Sequence, residues 1–97
     1  MTKRNFGYRK DVNHDDFGEA FRAMGWSAHD TGRAGDGFPD WTVGAEGRTF
    51  LVEVKPPGGK LNANQVAFFD AWQGHAIVAE HPDEAISAIV AELEVVP

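Results

Sequence analysis

The segment Arg48 to Lys55, RTFLVEVK, constrains this 97-residue chain more than any other. It is an apolar run of β-branched and aromatic residues with Pro-Pro-Gly-Gly at 56–59 behind it. Proline supplies no ladder N–H and glycine lets the chain turn, so the run reads as a strand that stops at Lys55. Just upstream, DWTVG at 40–44 is a second strand, with a turn at Ala45-Glu46-Gly47. The two are close enough to form a hairpin. Side chains alternate along a strand, so Phe50, Val52 and Val54 face one way and Leu51, Glu53 and Lys55 the other. Glu53 and Lys55 therefore share a face, roughly 7 Å apart along the strand. The hairpin brings Asp40, which starts the neighbouring strand, toward both.

The rest of the chain supplies elements around that hairpin. Residues 13–24 place Phe17, Ala20, Phe21 and Met24 at helical spacing, with Asn13 as N-cap and Gly25 as stop. Trp26 to Asp30 reads as a short strand, and 31–38, with three glycines, as a loop. Residues 62–73 predict a second helix with Val66, Phe69 and Trp72 inward and Gly74 as its stop. Ile77-Val78-Ala79 is a short strand. Pro82 opens a last helix with Ile86, Ile89, Val90 and Leu93 as its apolar stripe. The order is αβββαβα, which predicts an α/β fold with a mixed sheet and a C-terminal helix.

Composition excludes several function classes. The chain has room for one core only. An apolar fraction of 42% argues against disorder. There is no cysteine, so disulfides and thiolate metal sites are excluded. No run of about 18 apolar residues exists to span a membrane, and MTKRNFGYRK lacks a signal-peptide core. A cytoplasmic protein is the expectation. Net charge is −6, yet it is unevenly spread. Residues 1–10 carry Lys3, Arg4, Arg9 and Lys10 and no acid, whereas 61–97 carry six acids and no Lys or Arg. Residues 1–10 thus read as a basic arm on a single domain over 11–97, able to meet phosphates despite the negative total. A solvated terminus is the plainer reading of the same charges.

Two carboxylates and an ammonium converging at one sheet edge have a chemical use. Neighbouring carboxylates repel, and a divalent cation relieves the repulsion. Oxygen ligands suit Mg²⁺ or Mn²⁺, and a bound cation lowers the pKa of a coordinated water and offsets phosphoryl charge. A lysine beside it can orient that water or stabilise developing negative charge. Against this stands an ordinary Glu53–Lys55 pair on a solvated strand, with Asp40 as a turn residue after Pro39.

Gly37-Phe38-Pro39-Asp40, twelve residues and then Glu53-Val54-Lys55 resembles the PD-(D/E)xK nuclease signature. The element order is similar to that superfamily's restriction-endonuclease-like αβββαβ core. Leu61 to Gln65, LNANQ, resembles the helix start of virus-type replication-repair nuclease (VRR-NUC) domains, and Asp11-Val12-Asn13 with Asp16 resembles small phage members of that group. The resemblance spans about residues 11–87. It implies a Mg²⁺- or Mn²⁺-dependent endonuclease acting on DNA, in a bacterial or phage-infected cell, with a homodimer on branched or duplex DNA as an analogy. It further implies that Asp40, Glu53 and the Val54 main-chain carbonyl ligate metal, that Lys55 is the catalytic lysine and that Gln65 lies near the site. Asp16 takes the place of the family's first-helix acid, which is more often Glu. The shorter side chain fits contact through water.

Each of these has a structural rival. Asn13 with Asp16, and Asn62 with Gln65, have capping-box spacing. Trp26, Trp41 and Trp72 could stack on bases, although a small domain needs them in its core. The histidines at 14, 29, 75 and 81 show no metal-ligand spacing; His29, at the end of the first strand, could face the site, although a surface role is the plainer reading. Arg33, Lys60 and the basic arm are the candidate phosphate contacts. A non-catalytic DNA- or protein-binding module with the same fold, and an interaction protein unrelated to nucleic acid, are the alternatives to an enzyme.

Overall fold

A computed structural model describes residues 9–95, with side chains from His14 onward. Seven elements follow one another: α1 (Arg9–Ala23), β1 (Ser27–Asp30), β2 (Trp41–Ala45), β3 (Arg48–Val54), α2 (Ala63–Ala71), β4 (His75–Ala79) and α3 (Pro82–Leu93). The predicted order holds. The strands form one sheet in the order β1-β2-β3-β4, with β1, β2 and β3 antiparallel and β3 parallel to β4. The sheet is therefore mixed.

The hairpin is the best-specified element. Between β2 and β3 stand only Glu46 and Gly47, both in the left-handed region with φ of 53° and 82°. Two positive-φ residues make the type I′ turn whose twist matches that of the flanking strands. The register pairs Trp41 with Val52 and Val43 with Phe50. These four side chains are buried on one face. There they meet Phe17 and Phe21 of α1 and Ala85 and Ile89 of α3 in a single core. Trp26, Ile77, Ile86 and Leu93 pack against its margin. Arg48 clamps the end of α3 by donating to the Glu92 carbonyl at 2.7 Å and the Val95 carbonyl at 3.3 Å. A cation at a helix C-terminus satisfies carbonyls that have no partner within the helix.

Three local expectations are corrected. Helix α1 runs from Arg9, so Asn13 lies inside it and is not its N-cap. The Lys and Arg that suggested an arm are also good helix formers, and Arg9 and Lys10 already belong to α1. Lys3, Arg4 and the rest of 1–8 fall outside the described residues. Met24, placed in the apolar stripe, is exposed. Helix α2 has no buried residue at all, and Val66 and Trp72, expected inward, are 44% and 41% exposed. Instead Phe68 and Trp72 stack at 5.2 Å and Phe38 packs edge-on against Phe68. The helix is tied down at its first turn, where Asn62 Oδ1 accepts from Gln65 N and Gln65 Oε1 accepts from Asn62 N, each at 2.9 Å. That is the capping box read from the spacing.

Helix α1 meets the sheet through a glycine. The Trp41 indole lies against Gly18, where a Cβ would overlap the ring carbons. The ring has no freedom to retreat. Its Nε1 donates to the His14 carbonyl at 3.2 Å and its edge meets Phe21. Gly18→Ala should therefore lower stability by about 1 kcal/mol or more, because overpacking outweighs the gain in helix propensity of about 1 kcal/mol. Urea unfolding of both proteins measures this, and a stabilised alanine variant would contradict the packing described.

Candidate active site at one end of the sheet

The strands run so that the end of β1, the start of β2 and the ends of β3 and β4 share one edge of the sheet. That edge collects Asp30, Asp40, Glu53, Lys55 and Glu80. Continuing the hairpin register one step past the Trp41–Val52 pair puts Asp40 beside Glu53. The Asp40 side chain turns to the main chain of β3, and its Oδ2 accepts from Val54 N at 2.8 Å. Thr31 N in turn donates to the Asp40 carbonyl at 2.8 Å, and Thr31 Oγ1 to the Pro39 carbonyl at 2.9 Å. The Gly-rich loop is thereby closed at its base, next to the carboxylate.

Glu53 points to the face opposite the aromatic core, yet it is only 3% exposed. Its Oε2 accepts from Gln65 Nε2 at 2.9 Å and pairs with Lys55 Nζ at 3.4 Å. Lys55 Nζ donates to Gln65 Oε1 at 2.8 Å. Glu53, Lys55 and Gln65 therefore form a closed triangle. The Glu53 Oε1 atom is buried without a hydrogen-bond partner among the described residues. Burial, followed by repulsion from the Asp40 carboxylate, pushes the Glu53 carboxyl up from 4.5 to about 7, while Lys55 pulls the other way. A buried carboxyl against a second carboxylate with one oxygen unpaired is costly for an ion and satisfied by either a proton or a cation. The donor set, all hard oxygens, fits Mg²⁺ or Mn²⁺. Val54, whose carbonyl the resemblance adds to that set, is the last residue of β3.

The other candidates fall around this centre unequally. Gln65 is both the cap residue of α2 and a hydrogen-bond partner of Glu53 and Lys55, so its cap role does not remove it from this centre. Asp16 is exposed on α1, no hydrogen bond or ion pair joins it to Asp40, Glu53 or Lys55, and with Asn13 helical it has no capping-box role. Arg33 and Lys60 are exposed, on the loops that follow β1 and β3 at this same edge. The side chains of Arg9 and Lys10 lie outside those described. His29 is exposed on β1.

Two residues were missed. His14 Nε2 and Asp30 Oδ2 are 3.1 Å apart, and Asp30 Oδ1 accepts from Gly32 N at 2.9 Å. The Gly32 bond holds the Asp30 carboxyl below its usual range, aided by His14 and Arg33. Both residues stand beside Asp40 around Gly32. The signal was available, since His14 lies one turn before Phe17 and Gly18 on the face of α1 that meets the sheet. Among the described residues, three His, Asp or Glu side chains with all ligand atoms within 4.8 Å of one another occur once, at Glu80, His81 and Glu84. There Glu84 Oε1 accepts from the Glu80 and His81 N–H groups at the start of α3, which is a helix cap. That group does not include Asp40 or Glu53. No protein-family model, curated protein or solved structure matches the chain.

The raised Glu53 carboxyl sets a pH dependence of stability. The folded state holds the proton more tightly than the unfolded one, so stability is full below about pH 4.5 and is lost as pH rises to about 7. Glu53→Gln, which mimics the protonated group, should match wild type at pH 4.5 and exceed it at pH 8 in EDTA. The difference should approach about 3 kcal/mol. Denaturant unfolding across pH 4–8 measures it, and parallel curves for the two proteins would disprove the buried repulsion.

Proposed function

We propose that the chain is a metal-dependent nuclease with a PD-(D/E)xK-type fold that hydrolyses phosphodiester bonds in DNA. The observation that carries the reading is the unpaired, buried Glu53 Oε1 beside the Asp40 carboxylate, with Lys55 and Gln65 hydrogen-bonded together at its other oxygen. A salt bridge kept for stability alone would not leave a carboxylate oxygen buried and unmatched against a second carboxylate.

Asp40, Glu53 and the Val54 carbonyl would hold Mg²⁺ or Mn²⁺. When bound, the cation supplies an acidified water and offsets charge on the phosphoryl group. Lys55 stands within reach of Glu53, where its ammonium would orient the attacking water or balance the developing oxyanion. Gln65 fixes that ammonium with its carbonyl and Glu53 with its amide, so both groups are positioned before substrate arrives. Arg33 and Lys60, with Lys3, Arg4, Arg9 and Lys10, would meet phosphates on either side. Asp16 would act at the rim through water. A bacterial or phage-infected cytoplasm and a homodimeric form belong to the same reading. Among the described residues, no helix is long and apolar enough to cross a membrane.

Asp40→Asn separates this reading from an ordinary ion pair. The amide oxygen can still accept from Val54 N, so the variant should fold, and in EDTA it should be as stable as wild type or more so by about 1 kcal/mol. It should lose DNA cleavage and the rise in melting temperature that Mn²⁺ gives wild type, because that rise comes from binding to the folded state only. A variant destabilised in EDTA that still gains from Mn²⁺ would remove Asp40 from the site.

Lys55→Ala should abolish cleavage of linear, nicked and branched DNA while keeping most of the Mn²⁺ affinity. Wild-type cleavage rates would exclude the lysine from the chemistry. A wild-type chain that binds DNA yet cleaves none of these substrates with Mg²⁺ or Mn²⁺ would instead be a binding module.

A further inference from the structure

The face of α2 that serves the site continues beyond it as a row of rings. Gln65, Phe68 and Trp72 stand at i, i+3 and i+7, which is one face of a helix. Trp72 keeps that register although it caps the helix, because its N–H still donates to the Phe68 carbonyl at 2.9 Å. Gln65 turns to Glu53 and Lys55. The Trp72 position follows two turns later, about 10 Å along the axis at ~1.5 Å per residue. Phe38, which packs on the same rings, is two residues from Asp40. The row is therefore continuous with the carboxylate edge at both its loop and its helix.

The indole is held in one orientation. One of its faces stacks on Phe68, with ring centres 5.2 Å and planes 18° apart. Phe38 meets the pair edge-on, 5.2 Å from Phe68 and 6.4 Å from Trp72. The Nε1 edge lies against Gly74, where a Cβ would stand 2.9 Å from it. Trp72 is nonetheless 41% exposed, so the face away from Phe68 is turned to solvent. A flat ring fixed on three sides with one face open is a platform on which another flat ring can stack. Every nucleic-acid base has such a face, and stacking on an aromatic side chain is how unpaired bases are commonly held. Bases inside a duplex cover one another's faces and present only their edges in the grooves. The local charge permits the approach of a phosphate chain. Segments 31–38 and 60–74 carry Arg33 and Lys60 against Asp36 and Asp70, which is no net charge in a chain of net −6. Asp70, two residues from both Phe68 and Trp72, falls on the opposite side of α2.

We propose that Trp72 stacks on an unpaired base, so that the site takes nucleic acid with a single-stranded stretch beside the bond to be cut. This inference rests on the nuclease reading and narrows its substrate. At ~3.4 Å per nucleotide of a strand, the stacked base lies about three nucleotides from the phosphate at Lys55. Arg33 and Lys60 lie on the loops at the carboxylate edge and meet the phosphates between them.

The test is binding of the whole chain to a labelled oligothymidylate and to a blunt duplex, by fluorescence anisotropy in EDTA, with cleavage of blunt and single-strand-tailed duplexes in Mn²⁺ beside it. Thermal melting confirms that each variant folds. Trp72→Ala should weaken oligothymidylate binding about 5- to 100-fold, the loss of one stacked base, and affect the blunt duplex much less. Trp72→Tyr should restore most of the affinity, whereas Trp72→Leu, apolar but without a π-face, should not. In cleavage of the tailed duplex, Trp72→Ala should raise KM and leave kcat, because the stack is made equally in ground and transition states. Wild-type oligothymidylate affinity in Trp72→Leu would overturn the stacking, and so would equal losses for duplex and single strand in Trp72→Ala. Wild-type affinity in Trp72→Ala together with conversion of a dimer to a monomer in sedimentation would make this face a contact between copies instead. If wild type cleaves DNA and the Trp72 variants bind and cleave as it does, this inference falls and the nuclease reading stands. If oligothymidylate binding depends on Trp72 but no substrate is cleaved with Mg²⁺ or Mn²⁺, the stacking stands and the nuclease reading falls. A wild-type chain that neither binds nor cleaves any of these would overturn both.

Discussion

The register of the β2–β3 hairpin is the constraint on which the rest depends. Two positive-φ residues in a two-residue turn permit one pairing, with Trp41 opposite Val52. A slip of one residue would send Phe50 and Val52 to the face of Glu53 and carry Glu53 into the aromatic core. The same pairing that buries Trp41 therefore sets Asp40 against Glu53. Core and site share one origin, and the apolar face is what holds the two carboxylates together against their repulsion.

Much of this was legible in the residues. The strand Arg48–Val54 is bounded by Glu46-Gly47 and by Pro-Pro-Gly-Gly, and alternation along it separates Phe50 and Val52 from Glu53. Spacing alone also showed that Asn62 and Gln65 form a capping box. What the spacing did not show is that one glutamine both caps α2 and hydrogen-bonds Glu53 and Lys55, because that requires the position of α2 against β3. The inward face of α2 was misjudged for a related reason. Val66, Phe69 and Trp72 have helical spacing, but a nine-residue helix after a parallel crossover lies at the margin of so small a sheet, and its aromatics pack on one another and on Phe38.

The start of α1 was set too late because Asn13 looks like a cap, whereas Arg9 and Lys10 already favour helix. His14 shares the helix face that continues through Phe17 and Phe21 wherever the helix begins, so it approaches the sheet, and Trp41 meets it there. Asp30 and Asp40 are ten residues apart in sequence and become neighbours only because β1 pairs with β2 and Thr31 closes the loop between them.

Gln65 Oε1 accepts from two donors, Asn62 N at the helix start and Lys55 Nζ at the end of β3. Helix α2 contributes no buried side chain that would otherwise hold it in place. Opening of its first turn therefore also removes the Gln65 hydrogen bond from the Lys55 ammonium. Local opening of a short, poorly buried helix costs less than global unfolding. When that helix opens the lysine keeps only its ion pair with Glu53, at 3.4 Å, so anything that docks against α2 would alter how firmly the lysine is held without touching it.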